Sequence, residues 1–172
     1  MRRIVAVAYS DGVDPGETAR RVTGAMRSRD FDTLRAQLAD DVVLNSPITA
    51  SFKFQGRDEI VELLRTVRDA YETLDYTDVF GSGDTWVQVF RVRVRGQEME
   101  AIDLMRMDED GKVCEFTVFF RPLAGLAALT AALAPEVAPT RGRAAVARVL
   151  TRPLELMTRS GDRVVARLTG RG

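Results

Sequence analysis

The hydrophobic pattern changes at Asp75, and this change constrains the fold more than any other feature of the sequence. From Arg57 to Leu74, apolar residues recur every three or four positions, which is the spacing of one face of a helix. After Asp75 the spacing becomes two, which indicates strands whose side chains alternate between two faces. Helices that come first and a sheet that comes afterwards are typical of an α+β domain.

A meander of strands is predicted after this change. A short strand covers 76–80, and a longer strand over 86–95 alternates apolar residues with arginines. A final hairpin covers 99–120, and its turn at 108–111 ends in Gly111, which supplies the positive φ that a tight turn needs. The meander predicts a strongly curved antiparallel sheet.

Capping signals predict helices before the sheet. A capping-box arrangement that begins at Asp14 predicts a helix over about 15–28. Asp30 caps a second, short helix, which is predicted to end at the acidic pair 40–41. A short strand separates this helix from the third helix, which begins at Arg57.

The chain is predicted to have three parts. Residues 1–13 form an N-terminal arm, 14–122 form the α+β domain, and 123–172 form a helical, basic C-terminal extension. Helices are predicted over 123–134 and 144–157 of this extension. From residue 136 onward there are eight arginines against three acids. Two interpretations of this basic tail remain open, a solvated face that packs on the domain and a peripheral contact with an anionic membrane surface or a partner.

Composition excludes several functional classes. Histidine is absent, which removes Ser-His-Asp and Cys-His pairs and histidine metal sites. Chemistry must rest on carboxylates, hydroxyls, arginine or a bound cofactor, and we expect no metal and no cofactor.

The formal net charge is zero, so no nucleic-acid partner is expected. Cys114 is the single cysteine and is predicted to be a buried thiol in a reducing, cytoplasmic setting. No apolar run approaches the roughly 20 residues of a membrane-spanning helix.

Asp103 is the strongest candidate for a functional residue, because it interrupts the apolar run formed by Ala101, Ile102, Leu104 and Met105. A carboxylate on the apolar side of a strand costs several kcal/mol unless it is paired, hydrogen-bonded or protonated. Two interpretations remain open. The acid is satisfied by Gln88, Asn45, Ser46 or a backbone group and has a structural role, or it is a proton donor or base that faces a bound organic molecule.

Three stretches of sequence carry a resemblance to a known family. They are RDFDTL followed by LADDVV within 29–43, FQGRDEI at 54–60, and AIDLMR followed by DEDGKV within 101–113. They resemble the nuclear transport factor two-like superfamily, and within it the ketosteroid isomerase and SnoaL-like polyketide cyclase branches. The resemblance covers roughly 15–122. It implies a cone-shaped curved sheet with N-terminal helices, a cystatin-like α+β roll.

The resemblance also implies roles for individual residues. Asp103 matches the family acid that is kept protonated in an apolar pocket and donates a hydrogen bond to a developing oxyanion. The family's general-base aspartate precedes a proline, and here Ser46 precedes Pro47. The family's two tyrosines fall near Val22 and Leu64. Steroid isomerase activity by the usual mechanism is therefore not expected.

A ligand pocket and a dimer face are the remaining expectations. Asp103 is the predicted catalytic residue, and residues from the first strand and from the concave side of the sheet are the predicted ligand contacts. These contacts are Asn45, Ser46, Trp86, Gln88, Phe90, Met105, Phe116, Val118 and Phe120. The opposite face, which includes Val87, Val89, Thr117 and Phe119, is expected to form a homodimer.

Two functions remain open. The first is an isomerase, cyclase or hydrolase that acts on a hydrophobic small molecule, with Asp103 as general acid or hydrogen-bond donor. The second is a non-catalytic module for small-molecule binding or dimerisation, with the basic tail mediating attachment to a membrane or a partner.

Overall fold

The structure is a computed structural model, and it describes residues 14–136, 156–158 and 160 of the chain. The predicted arm over 1–13 lies outside the described residues, as does most of the predicted helix over 144–157 with its basic surroundings. Four helices and six strands lie within 14–136. In chain order they are α1 (Pro15–Ser28), α2 (Phe31–Gln37), β1 (Leu38–Asn45), β2 (Phe54–Gln55), α3 (Arg57–Ala70), β3 (Thr73–Ser82), β4 (Thr85–Val94), β5 (Gln97–Met107), β6 (Val113–Arg121) and α4 (Leu123–Leu133).

All six strands form one sheet, in the order β2-β1-β6-β5-β4-β3. Neighbouring strands are antiparallel except β1 and β6, which are parallel. Thr77 on β3 and Cys114 on β6 are extra residues at irregularities in the register, and bulges of this kind bend a strand and increase its twist. The α+β class and the curved sheet are confirmed, and the helices pack inside the curve.

Several element ends differ from the sequence prediction. The second helix ends at Gln37 and not at 40–41, because Leu38 already pairs with Val113 of β6. The third helix ends at Ala70, and Leu74 belongs to β3, where it pairs with Val92 of β4. In each case pairing with a long neighbouring strand overrides local helix periodicity. Cys114 is half-buried and not fully buried, because it is the bulged residue of β6.

α1 fills one part of the concave side of the sheet. Asp14 caps it by accepting a hydrogen bond from the backbone N–H of Gly16 at 2.9 Å. Its inward face is apolar, as the sequence predicts, and each member is at most 6% exposed. The buried set on this face is Ala19, Val22, Ala25 and Met26.

α4 packs across the concave side beside α3, with contacts to β4, β5 and β6. The predicted helix over 123–134 is therefore confirmed in its main part. Close packing depends on Gly125, because a Cβ at this position would lie 2.7 Å from the Sδ of Met99 and closer still to its Cγ. Met99 is itself 2% exposed and has no solvent into which its side chain can move.

A pair of glycine substitutions tests this packing. Gly125→Ala is expected to lower the free energy of unfolding by about 1–2 kcal/mol, because overpacking against Met99 outweighs the gain in helix propensity. Gly24→Ala in α1 is the matched control, since a Cβ there meets nothing within 4 Å. This control is expected to raise stability by about 0.5–1 kcal/mol. Denaturant unfolding measures both changes, and equal gains in the two variants would contradict the proposed packing.

Candidate functional site

A cavity of about 290 Å³ lies between the concave face of the sheet, α3, α4 and the loop after β1. Its lining is mainly aliphatic and aromatic. Apolar lining residues include Leu44, Phe52, Phe54, Leu63, Leu64, Val67, Phe90, Val118, Phe120, Leu129 and Leu133. Among the described residues, the lining contains no arginine or lysine, and Asp103 is its one carboxyl group. Such a cavity suits an apolar molecule that has no formal negative charge.

Asp103 lies on β5, opposite Gln88 of β4 and Val118 of β6. The side-chain Nε2 of Gln88 donates a hydrogen bond to Oδ2 of Asp103 at 2.7 Å. No described residue donates to, or accepts from, the other oxygen, Oδ1. Burial raises the pKa of Asp103 to about 7, while the hydrogen bond from Gln88 acts in the opposite direction. Near neutral pH this carboxyl can therefore exist in both protonation states.

The Gln88 side chain also forms a hydrogen bond with Thr23 of α1. Its side chain is 1% exposed, and Thr23 of α1 is 7% exposed. The Thr23 hydroxyl lies 2.8 Å from Oε1 of Gln88 and 3.0 Å from the carbonyl oxygen of Ala19. A buried polar chain therefore runs from α1 through Gln88 to Asp103.

Two tyrosines that the sequence analysis did not assign to the site also line the cavity. Tyr71 follows the end of α3 and is 6% exposed, and Tyr76 lies on β3 and is 9% exposed. No described residue forms a hydrogen bond with either phenol group. Burial raises the pKa of both phenols, and the charge of Asp103 raises it further. Buried tyrosine hydroxyls normally find a partner, so these two groups are available to a ligand.

The sequence signal for these tyrosines was present but ambiguous. Tyr71 continues the apolar spacing of α3, and Tyr76 begins the alternating pattern of β3, so both fit a packed core. The structure ends α3 at Ala70, which places the Tyr71 side chain at the cavity. Tyrosine is amphipathic, and its presence at an apolar position beside an isolated buried acid is the signal that points to a site.

Hydroxyl groups also occur at the α4 and β1-loop side of the cavity. Ser46 Oγ accepts from the backbone N–H of Ile48 at 3.1 Å, so its own proton remains available. Thr130 of α4 donates to the carbonyl oxygen of Leu126 at 2.8 Å, so its oxygen can accept from a ligand. Both residues line the cavity.

The structure separates the predicted contact residues into two groups. Ser46, Phe90, Val118 and Phe120 line the cavity together with Asp103. The other predicted contacts lie outside the lining. These are Asn45, Trp86, Gln88, Met105 and Phe116.

Strand geometry explains the second group. Asn45 is on the outer face of the sheet, where it donates to Thr117 Oγ1 at 2.9 Å. Trp86 packs against α1 at Gly16, and its indole N–H donates to the carbonyl oxygen of Gly83 at 3.1 Å. Met105 and Phe116 pair with each other and are at most 2% exposed, within the packed core.

The described part of the chain contains no group of three or more His, Cys, Asp or Glu side chains that could hold a metal ion. None of its helices combines the length and apolar character needed to cross a membrane.

A family model and solved structures of other proteins are similar to this chain. The model of the SnoaL-like domain family matches residues 19–116. A steroid delta-isomerase from Pseudomonas aeruginosa is 29% identical with a TM-score of 0.67, over 74% of this chain and 94% of that protein. An uncharacterised protein with a cystatin-like fold from Silicibacter pomeroyi is 27% identical with a TM-score of 0.65, over 73% and 87%.

More distant structures share the fold alone. A provisionally assigned SnoaL-like polyketide cyclase from Shewanella denitrificans is 16% identical with a TM-score of 0.52, over 62% of this chain and 90% of that protein. A search of curated proteins finds no match.

Proposed function

Because the chain belongs to the SnoaL-like domain family, we propose that it is an enzyme that binds an uncharged, apolar organic molecule in the cavity. Asp103 acts on this molecule as a general acid or hydrogen-bond donor, in an isomerase, cyclase or hydrolase reaction. The similarity to a steroid delta-isomerase at 29% identity supports isomerisation of an unsaturated ketone as the first reaction to test. The cavity volume of about 290 Å³ is at the lower end of the usual ligand range, which favours a compact ring system.

One observation carries this proposal. Three polar groups, Asp103 Oδ1 and the hydroxyls of Tyr71 and Tyr76, lie in an apolar cavity without a hydrogen-bond partner among the described residues. Leaving buried polar groups unpaired costs about 1–3 kcal/mol each. A ligand with a carbonyl oxygen would satisfy these donors, and their positive ends would stabilise negative charge that develops on that oxygen.

The second candidate function is non-catalytic binding of the same kind of molecule. Ser46, which stands where the resemblance expects a general base, lines the cavity but has no carboxylate. In this second function, the pocket lacks a separate base, so it holds a ligand and does not convert it. The two functions share the cavity and differ in whether Asp103 exchanges a proton with the ligand.

Native mass spectrometry of the protein after exposure to cell extract, followed by incubation with the identified ligand, distinguishes the two functions. For an enzyme, we expect conversion of the ligand and a loss of about 100-fold or more in rate for Asp103→Asn. This variant keeps an oxygen that can accept from Gln88 but cannot transfer a proton. Unchanged ligand after incubation would support the non-catalytic function, and absence of any bound small molecule would contradict both.

We further propose that the outer face of the sheet pairs with a second copy of the chain. Val89, Ile102 and Phe119 form one row across β4, β5 and β6, and Ile102 and Phe119 are 40% and 54% exposed. A parallel row contains Val87 and Leu104. Exposed apolar rows of this kind mark interaction surfaces, and a self-complementary sheet face suits a two-fold dimer.

Phe119→Arg is expected to convert a dimer to a monomer, because it places a charge in the apolar row formed with Val89 and Ile102. Size-exclusion chromatography with light scattering measures the change. Phe52→Arg is the matched control, since Phe52 is 55% exposed but follows β1 on the cavity side, and this variant is expected to remain dimeric. A monomeric wild-type chain at about 100 μM would contradict the dimer, since a stable interface has a Kd well below that concentration.

A further inference from the structure

The buried chain of Thr23, Gln88 and Asp103 has two complete hydrogen-bond arrangements. In the first, the Thr23 hydroxyl donates to Oε1 of Gln88, and Nε2 of Gln88 donates to an ionised Asp103. The distances are 2.8 Å and 2.7 Å. This arrangement offers Oδ2 of Asp103 only a donor, so it suits a carboxylate oxygen that accepts.

The second arrangement is the reverse of the first. If the Gln88 amide rotates by half a turn about its terminal bond, Oε1 faces Asp103 and Nε2 faces Thr23. A protonated Oδ2 of Asp103 then donates to Oε1, Nε2 donates to Thr23 Oγ1, and the Thr23 hydroxyl donates to the Ala19 carbonyl oxygen, which is already 3.0 Å away. Each contact along the chain keeps one donor and one acceptor, because hydroxyl and amide groups can each accept and donate.

We propose that Thr23 and Gln88 form a reversible hydrogen-bond relay that turns over when Asp103 gains or loses a proton, and so lets this one carboxyl act as both acid and base. Gln88 and Thr23 are positioning residues, since neither lines the cavity. The inference rests on the proposed function, because it explains how a site without a second carboxylate can exchange protons.

The relay gives the site a balanced proton cycle. When Asp103 removes a proton from a carbon of the ligand, that C–H bond breaks and its electron pair remains on the ligand. Return of the same proton from Asp103 to a different carbon forms the new C–H bond and restores the carboxylate. The protein ends the cycle unchanged, and no co-reactant is consumed. Because each protonation state of Asp103 has a matching arrangement of the Gln88 amide, neither transfer leaves two donors or two acceptors facing each other at Oδ2.

The relay also decides which oxygen of Asp103 holds the proton in the empty site. A proton on Oδ1 has no protein acceptor among the described residues. A proton on Oδ2 is accepted by Oε1 of Gln88 in the reversed arrangement, so the neutral acid is expected to hold its proton on Oδ2.

Few other groups titrate near this acid. The titratable groups that act with Asp103 are Tyr71 and Tyr76, and Arg27 and Arg68 are the charged groups that act on these tyrosines. β4 and β6 present uncharged residues to Asp103 in their register, Gln88 and Val118. A pH-dependent change in the Gln88 amide therefore reports on Asp103.

Nuclear magnetic resonance of the full, unliganded chain tests the relay directly. The sequence has only four glutamines and one asparagine, so the Gln88 side-chain amide can be assigned. Below the titration midpoint of Asp103, we expect strong nuclear Overhauser effects from this amide to the Thr23 methyl group. Above the midpoint, we expect them to the Asp103 β-protons. The same pattern on both sides of the midpoint would overturn the relay, and this measurement needs no variant.

Variants give an independent readout, the titration midpoint of the Asp103 carboxyl carbon. Gln88→Leu removes the donor to the carboxylate and is expected to raise the midpoint by about one pH unit or more. Thr23→Val is expected to raise it less and to abolish the reversal, while Thr23→Ser keeps the hydroxyl and should leave both unchanged. Reversal of the Gln88 amide that persists in Thr23→Val, or that is lost in Thr23→Ser, would overturn the relay.

The outcomes separate the relay from the proposed function. A relay that reverses in a chain that converts no ligand leaves the relay in place and contradicts the enzyme function. A ligand that is converted by a chain whose Gln88 amide never reverses contradicts the relay alone.

Discussion

Asp103→Asn is expected to stabilise the protein at pH 8, by up to about 4 kcal/mol, while abolishing proton transfer. Burial raises the pKa of Asp103 to about 7 in the folded chain, compared with about 3.9 in an unfolded chain. Each unit of difference corresponds to about 1.4 kcal/mol, and the partial contact of the carboxyl with the cavity makes the sum of about 4 kcal/mol an upper value.

The direction in which stability changes with pH depends on whether the folded or the unfolded chain binds the Asp103 proton more tightly. The folded chain holds the Asp103 proton more tightly than the unfolded chain, so its contribution to stability is fully present below about pH 4. This contribution is lost as the pH rises from about 4 to 7, and the ionised carboxyl then remains buried at a cost. Asparagine has the same shape, cannot ionise, and can still accept from Gln88.

Denaturant unfolding at pH 4.5, 6 and 8 measures this effect. At each pH, the free energy of unfolding of the wild type is subtracted from that of Asp103→Asn. Asp78→Asn is the matched control, because Asp78 also lies on a strand of the sheet but is exposed. The difference should grow with pH for Asp103→Asn and stay near zero for the control. A variant that is less stable than the wild type at pH 8 would show that Asp103 is a structural acid.

Much of the fold follows from local sequence patterns. The change of spacing at Asp75, the cap at Asp14 and the turn that ends at Gly111 each act through interactions between close neighbours in the chain. The structure confirms the cap at Asp14 and the turn at Gly111, which has a left-handed φ of 71°. The change from helix to strand comes slightly earlier than predicted, because β3 begins at Thr73. Helix ends were harder to predict, because pairing of Leu38 and Leu74 with distant strands decides them.

The site could be predicted only in part, for a related reason. Strand alternation identifies which face a residue is on, and the register confirms that Gln88, Asp103 and Val118 share the concave face. Alternation does not indicate how far along the strand α1 covers that face. Trp86 packs against α1 and pairs with the buried Met105 of β5, whereas Phe90 and Phe120 line the cavity.

Gln88 was among the expected partners of Asp103, and the structure shows this hydrogen bond, but the link from Gln88 to Thr23 was hidden for a different reason. Thr23 and Gln88 are 65 positions apart in the chain, and no local pattern connects them. Tyr71 and Tyr76 occupy positions at which apolar spacing alone predicts a core residue. The functional groups of this site are therefore brought together by α1, the end of α3 and β3, while the sequence resemblance identified the acid alone.

The combination of one acid and two tyrosines distinguishes this site from a simple apolar pocket. An apolar cavity can bind many molecules. Here the unpaired hydrogen-bond donors favour a ligand whose acceptor atom reaches them when the ligand is bound. The donor that titrates near neutral pH makes that preference depend on pH. Binding measurements can therefore identify the chemistry of the ligand before its structure is known.

The affinity for an uncharged carbonyl ligand is expected to fall about 100-fold between pH 6 and pH 9. A neutral Asp103 donates a hydrogen bond to the carbonyl oxygen, whereas an ionised Asp103 repels it. With a pKa of about 7, the neutral fraction falls about tenfold for each pH unit above the midpoint. Burial raises the pKa of Tyr71 and Tyr76, so both phenols stay protonated across this range.

A bicyclic enone is a suitable probe for isothermal titration calorimetry, because it is compact, apolar and uncharged. Asp103→Asn should bind it with the same affinity at pH 6 and pH 9. Tyr71→Phe removes a donor that does not titrate in this range, so it should weaken binding about tenfold at both pH values and leave the pH dependence intact. Affinity that instead rises with pH would mean that the ionised carboxylate is the binding form, and the ligand would then be a cation or a hydrogen-bond donor.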